Sequence, residues 1–268
     1  MAVEVQFEDF REYFPYAPTA LCIKECTRAS ALDSFDCDGP ILDVGCGDGV
    51  FAKLVFRGRD IWGIDIDSNE SGRAQATRVY SQIVLGDVTS ARLPSGFFAT
   101  CLANCSLEHV ANIGAALQNI RGSLQPGGKL LMIVPNKEWT TDFLSSRALE
   151  AIGAHLLAQK VREQIDSTFR HLQLHSAEEW SRIAAAAGLE VEEVRPIGSA
   201  SGTVAFELFL LPSLLGWLNK RLTTRWTNFP GLRSLLTRPA HLLVRAAMAS
   251  TGKTAPSAEL LVVARRPA

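Results

Sequence analysis

One stretch does most to limit the fold. The run Ile41-Leu42-Asp43-Val44 leads straight into Gly45-Cys46-Gly47-Asp48-Gly49. A short apolar run ending in alternating glycines reads as a buried strand that turns sharply into a helix. Glycine permits unusual backbone dihedrals there and leaves no Cβ in the path of a ligand. The helix that follows offers free N–H groups at its start.

The rest of the chain keeps this alternation. Strand-like runs occur at Ile41–Val44, Ile61–Ile64, Gln82–Leu85, Ala99–Ala103 and Lys129–Val134, with helical stretches such as Gly49–Phe56, Glu70–Val79 and Ile113–Leu124 between them. Alternating strand and helix predicts an α/β fold with a mostly parallel sheet, and right-handed crossovers reduce the options to a few doubly wound arrangements. Gln125-Pro126-Gly127-Gly128 marks a turn into the fifth strand. Ser176-Ala177-Glu178-Glu179 is a capping-box pattern that starts a helix over Ala177–Ala187, and Gly188 ends it. Further strands are expected at Glu190–Arg195 and Leu260–Ala264. Residues 5–34 read as helices broken at Pro15–Pro18. A length of 268 residues suits a single domain over 1–268. Its elaborations are a helical lid at 1–35, a helical cap insertion at 138–170 and a basic, apolar helical insertion at 200–255.

The glycine spacing separates two classes of cofactor. A dinucleotide turn needs GxGxxG to set a pyrophosphate on the helix start. Here the pattern is GxGxG, with Asp43 and Asp48 beside it. Two carboxylates repel a pyrophosphate but favour a ligand carrying an ammonium and a sulfonium, and S-adenosylmethionine is such a ligand. No Gly-Lys-Ser or Gly-Lys-Thr follows, which removes a nucleotide P-loop.

These motifs resemble the class I S-adenosylmethionine-dependent methyltransferases, in a small-molecule type with Glu-His after the fourth strand. "WGIDID" ends the second strand with Asp65, and "LGDV" places Asp87 after the third. "FFATCLANCSLEHV" is similar to the fourth strand and its active-site lip, "LQPGGKLLMIVPN" to the fifth-strand turn, and "HLQLHSAEEWSRIAAAAGLEVEEV" to the late helix and sixth strand. The likeness covers about residues 35–200 and resumes at 258–266. It implies a seven-stranded Rossmann-like sheet of order 3-2-1-4-5-7-6 with the last strand antiparallel. It also implies S-adenosylmethionine as cofactor, held by Asp43, Gly45, Cys46, Gly47, Asp65, Ile66, Asp87, Val88 and Asn104. Asp65 would accept from the ribose hydroxyls, and Asp87 would meet the adenine amino group. Asp67, just beyond, suits a helix N-cap.

Methyl transfer from a sulfonium is an in-line displacement, so alignment and exclusion of water dominate, and a base is needed only for a protonated acceptor. No metal is called for. The fourth-strand lip reads Asn104-Cys105-Ser106-Leu107-Glu108-His109. It differs from the Asn-Pro-Pro-Tyr lip that similar enzymes use on planar nitrogens, which favours a small acceptor methylated at oxygen or carbon. His109 is the first candidate base. His171 and His175, before the capped helix, are candidates on the acceptor side. Tyr13, Phe14 and Tyr16 belong to the lid in the family pattern. Rival readings are a protein that binds S-adenosylmethionine without transferring a methyl group, as a sensor or assembly partner, and a nicotinamide-dependent oxidoreductase.

Charge divides the chain. Residues 200–255 carry one acid, Glu207, against seven bases, a net +6, while residues 1–199 carry a net −8. The overall net charge of −1 argues against a nucleic-acid partner. The basic stretch is also strongly apolar ("FELFLLPSLLGWL", "AHLLVRAAM"), and it admits two readings: an added helical layer with a solvated basic face, or a peripheral membrane surface for a hydrophobic or lipid-linked acceptor. Its apolar core, Thr203–Leu218, is interrupted by Glu207 and Pro212 and falls short of the roughly 20 clean residues of a spanning helix. The acidic N-terminus reads as no signal peptide. Six cysteines without a CxxC pair suggest reduced, buried thiols in a cytoplasmic protein.

Overall fold

The computed structural model describes residues 5–249 and 258–268. In the first strand, β1 (Ile41–Val44), all four residues are buried. A strand buried on both faces needs partners on both edges. It pairs in parallel with β2 (Ile61–Asp65) on one side and β4 (Phe98–Asn104) on the other. The sheet extends through β3 (Gln82–Leu85) beside β2, and through β5 (Leu124–Pro135) beside β4. The final strand, β7 (Glu259–Arg265), runs antiparallel to β5, and β6 (Glu190–Ile197) closes that edge. The order is β3-β2-β1-β4-β5-β7-β6, the Rossmann-like order expected, with the last strand reversed.

The intervening helices are α3 (Val50–Val55), α4 (Ser68–Thr77), α5 (Ile113–Ser123) and α8 (Ala177–Ala186). Asp67 caps α4, accepting from the Asn69 and Glu70 N–H groups. Ser176 and Glu179 cap α8 reciprocally: Ser176 Oγ accepts from the Glu179 N–H, and the Glu179 carboxylate accepts from the Ser176 N–H. Leu42, Cys101, Leu117, Met132, Trp180 and Val262 belong to the apolar core between sheet and helices. The Gln125–Gly128 turn differs from expectation. Leu124 already pairs with Phe98, so β5 begins before the turn, which becomes a bulge; Thr100 next pairs with Lys129. Gly127, at φ 75°, supplies the left-handed residue this bulge requires.

The single domain expected over 1–268 resolves into two compact units. The sheet unit comprises Ser34–Lys137, Arg170–Pro196 and Glu259–Ala268. The helical unit gathers Met1–Asp33, Glu138–Phe169 and Ile197–Ala258. Its described helices are α1 (Phe7–Tyr13), α2 (Thr19–Leu32), α6 (Leu144–Ala151), α7 (His155–Phe169), α9 (Ala200–Leu208), α10 (Leu210–Thr223), α11 (Pro230–Leu235) and α12 (Thr237–Ala249). The three elaborations therefore form one body. Aromatic contacts tie them: Phe206 meets Phe143 and Phe169, and Lys24 of α2 lies over the Phe206 ring at 5.0 Å. Glu207, the lone acid of residues 200–255, caps α6 by accepting from the Leu144 and Ser145 N–H groups. Lys253, the seventh base of that stretch, lies outside the described residues.

Candidate functional site

Parallel pairing brings the chemistry-bearing residues to one edge of the sheet. Val44 stands opposite Ile64 and Ala103, and Asp65 opposite Leu85. The segments after β1, β2, β3 and β4 thus leave the same carboxyl edge, where ligands bind in open α/β sheets. Gly45, Gly47, Asp65, Ile66, Asp87, Val88 and Asn104 are all at or just beyond it.

The glycine turn is clamped from two sides. Asp65 accepts from the Gly47 N–H through Oδ2 and from the Asp67 N–H through Oδ1, each at 2.8 Å. A carboxylate has about four acceptor positions, so it retains capacity for ligand hydroxyls. On the other side Ser106 donates through Oγ to the Val44 carbonyl at 2.7 Å. A Cβ on Gly45 would stand 2.3 Å from the Ser106 Cβ, and Gly45 has φ 73°. Gly45 is therefore required twice, by dihedral and by the close approach of the fourth-strand lip. Around Gly47 nothing lies within 4 Å of an ideal Cβ, so its backbone faces open space.

Asp43 and Cys46 are buried beneath this turn. Asp43 accepts from the Tyr80 hydroxyl at 2.7 Å. Burial, reinforced by the Asp43 charge, pushes the Tyr80 phenol far above its ordinary range, so it stays a donor. The Cys46 thiol lies against Gly63, and burial with the nearby Asp43 and Asp65 charges raises its pKa. The side chains of Asp43 and Cys46 thus brace the turn from below.

Ile66 is 73% exposed, an aliphatic side chain standing in water next to Asp65. Asp87 is exposed, accepts from the Thr89 N–H at 2.8 Å, and is held below the usual carboxylate range by its hydrogen bonds to Thr89. Asn119 of α5 steadies the loop after β3, donating to the Val88 and Ala91 carbonyls at 2.8 and 2.9 Å. Asn104 is half-buried at the end of β4. The next residue, Cys105, has φ 46°, uncommon for a residue with a Cβ, and such backbone strain concentrates at functional sites.

The three candidate histidines divide. His109 ends a 3-10 turn at Leu107–His109, and its ring stacks on His171 at 5.6 Å. His109 Nδ1 lies 3.1 Å from the Arg170 carbonyl, which can only accept. The proton therefore sits on Nδ1, and Nε2 keeps a lone pair. Partial desolvation, aided by His171, lowers the His109 pKa against the opposing pull of that carbonyl. His175 is tied into the scaffold instead. Its Nε2 donates to Gln173 Oε1 at 2.8 Å, its carbonyl accepts from the Lys137 N–H, and its ring meets Trp180 at 4.9 Å.

A methyltransferase-domain family model matches residues 13–194. The chain belongs to the methyltransferase-domain family. An uncharacterized methyltransferase of Mycobacterium tuberculosis is 34% identical over 96 residues, 35% of this chain and 49% of that protein. The match thus spans about half the length of that relative. A ubiquinone biosynthesis O-methyltransferase of Paraburkholderia phymatum is 26% identical over 165 residues, 59% of this chain and 67% of its own length. Among solved structures, a possible histamine N-methyltransferase from Thermotoga maritima superimposes with TM-score 0.56 at 13% identity, covering 92% of this chain and 91% of its own. The cyclase SpnF gives 0.55 at 19% identity over 92% and 81%. At such identities these structures show the fold alone.

The chemistry at the sheet edge suits S-adenosylmethionine, the cofactor that the sequence motifs imply. Carboxylates on β2 and after β3 match hydroxyl and amino groups, an exposed aliphatic side chain adjoins them, and the open backbone at Gly47 leaves room for close approach. Among the described residues no group of three or more His, Cys, Asp or Glu side chains is placed to hold a metal ion. Tyr80, Ser106 and Asn119 carry no local signal in the sequence. Their partners lie 28 to 62 residues away, and no local pattern marks such pairs.

Proposed function

We propose that this chain transfers a methyl group from S-adenosylmethionine to a small, hydrophobic acceptor at oxygen or carbon. One observation carries the reading: the glycine turn, Asp65 and Asp87 share one sheet edge with a lip that ends in His109. The cofactor, when bound, supplies the methyl group on a cationic sulfur leaving group. Asp65 holds its ribose hydroxyls, the Gly45–Gly47 backbone its amino-acid end, and Ile66 packs on the adenine, whose amino group meets Asp87. Val88 and Asn104 complete the contact. Asp43 acts through the turn it braces, with its charge favouring a cationic ligand nearby. His109 Nε2 accepts the acceptor's proton, and His171 steadies the ring by stacking. His175 positions the segment between the lip and α8. Oxygen is supported by the lip sequence and by the O-methyltransferases among the relatives.

The test is release of S-adenosylhomocysteine with a panel of phenolic, carboxylic and isoprenoid acceptors. Tight cofactor binding with no release across the panel would instead support the reading of a binding protein. Calorimetry against both cofactors disposes of the oxidoreductase alternative if only S-adenosylmethionine binds. With a protonated acceptor, kcat/KM should rise with pH through an apparent pKa below about 6.5, the ordinary imidazole value, because protonated His109 cannot accept. In His109→Gln that acid limb should vanish; an unchanged profile removes His109 from the role.

A further inference from the structure

We infer that α10, α11 and α12 form a docking surface for an anionic lipid bilayer, on which this chain lies without crossing it. The inference rests on these helices alone and stands apart from the identity of the acceptor.

The first observation is an apolar stripe without cover. α10 contains no buried residue. Its Leu211, Leu214, Leu215, Leu218 and Leu222 fall at helical spacing on one face and are 50–76% exposed. Along α11, the Leu236 that follows it and α12, five more leucines, Leu232, Leu235, Leu236, Leu242 and Leu243, are 52–78% exposed. Exposed leucines in register along a helix face mark a binding face rather than scattered surface leucines.

Charge says what covers it. From Leu208 to Ala249 there are six Lys or Arg residues and no Asp or Glu. The Lys220 ammonium lies over the Trp226 ring at 4.4 Å and the Arg221 guanidinium over Trp217 at 4.8 Å. Half-exposed tryptophan beside bases, next to leucine, is the composition of a membrane interface, with rings and cations at headgroup level and aliphatic groups below. Arg233 is the exception. It donates inward to the Phe14 and Ala17 carbonyls at 3.0 and 2.8 Å, so it anchors α11 to the N-terminal segment. A second copy would set this acid-free face against itself, and like charges would oppose the contact.

Length and burial decide between lying on a bilayer and spanning it. Among the described residues no single helix is long and apolar enough to cross a membrane. The bent pair α9–α10 passes by composition, with a 59° break. Yet Thr203, Val204, Ala205 and Phe206 of α9 are buried within the helical unit, so α9 is not available to lipid. Alone, the 14 residues of α10 reach about 21 Å against a hydrocarbon core of about 30 Å.

Flotation of the full chain with phosphatidylcholine vesicles, with and without phosphatidylglycerol, tests this at low and high salt. Recovery should require phosphatidylglycerol and fall as salt rises. Lys220→Glu with Arg221→Glu, and separately Leu211→Glu with Leu215→Glu, should each reduce binding at least about tenfold, with cofactor affinity and far-ultraviolet circular dichroism unchanged. Recovery that is the same with and without vesicles overturns the inference. So does recovery on neutral vesicles that neither salt nor the variants alter. A concentration-dependent dimer that the leucine variant dissolves, without vesicle binding, would assign the face to a second copy.

Discussion

Leu102 in β4 and Leu215 in α10 occupy opposite situations. Leu102 is 0% exposed, with β1 and β5 on either side of its strand. Leu215 is 75% exposed in a helix that buries nothing. In the sheet, apolar side chains are spent on the fold, and polar ones such as Asp65 and Ser106 set the geometry of the turn. In α10 to α12, apolar side chains are left over by the fold. They are the side chains that the proposed bilayer surface would take up.

Three substitutions sharpen the contrast. Gly45→Ala should have the largest effect, about 3 kcal/mol of stability, from the left-handed dihedral together with the overlap on Ser106. Urea denaturation measures it, and a loss under about 1 kcal/mol means the lip can move aside. Next, Asp65→Ala should weaken cofactor binding by about 2 kcal/mol, roughly 30-fold, by removing charge-assisted acceptance. Calorimetry reads this, and unchanged affinity reassigns Asp65 to bracing the turn. Smallest is Leu215→Ala, which should shift stability by less than about 0.5 kcal/mol in the same denaturation experiment. A loss near the 2–5 kcal/mol typical of a core leucine would mean α10 is covered within the chain and erase the contrast.

The sheet was legible because its signals are local. Runs of apolar residues bounded by glycine, proline and capping residues locate β1 and β3 to the residue and the start of α8 through Ser176 and Glu179. Strand order followed from motif sequence and resemblance. Ends set by tertiary contact were less legible: α3 begins one residue later and ends one residue earlier than its apolar pattern suggests, since Gly49 takes φ 78° as its cap and Phe56 leaves helical geometry. At the site, Asp65 and Asp87 stand out through the family motifs that hold them, and His109 through its chemical type. Tyr80 does not, because its role comes from meeting Asp43, 37 residues away. Nor does the sequence reveal that the lid, the cap insertion and the basic insertion gather into one helical unit, since Phe206 meets Phe143 and Lys24, 63 and 182 residues away, and no local pattern marks such pairs.

The bond from Glu207 to the start of α6 limits how this chain can be recombined. Transplanting residues 138–170 into a methyltransferase of the same fold would leave the Leu144 and Ser145 N–H groups without the carboxylate that meets them. Transplanting residues 197–258 alone would carry a carboxylate with no helix to cap. The cap couples the two segments, so a working chimera has to exchange both at once.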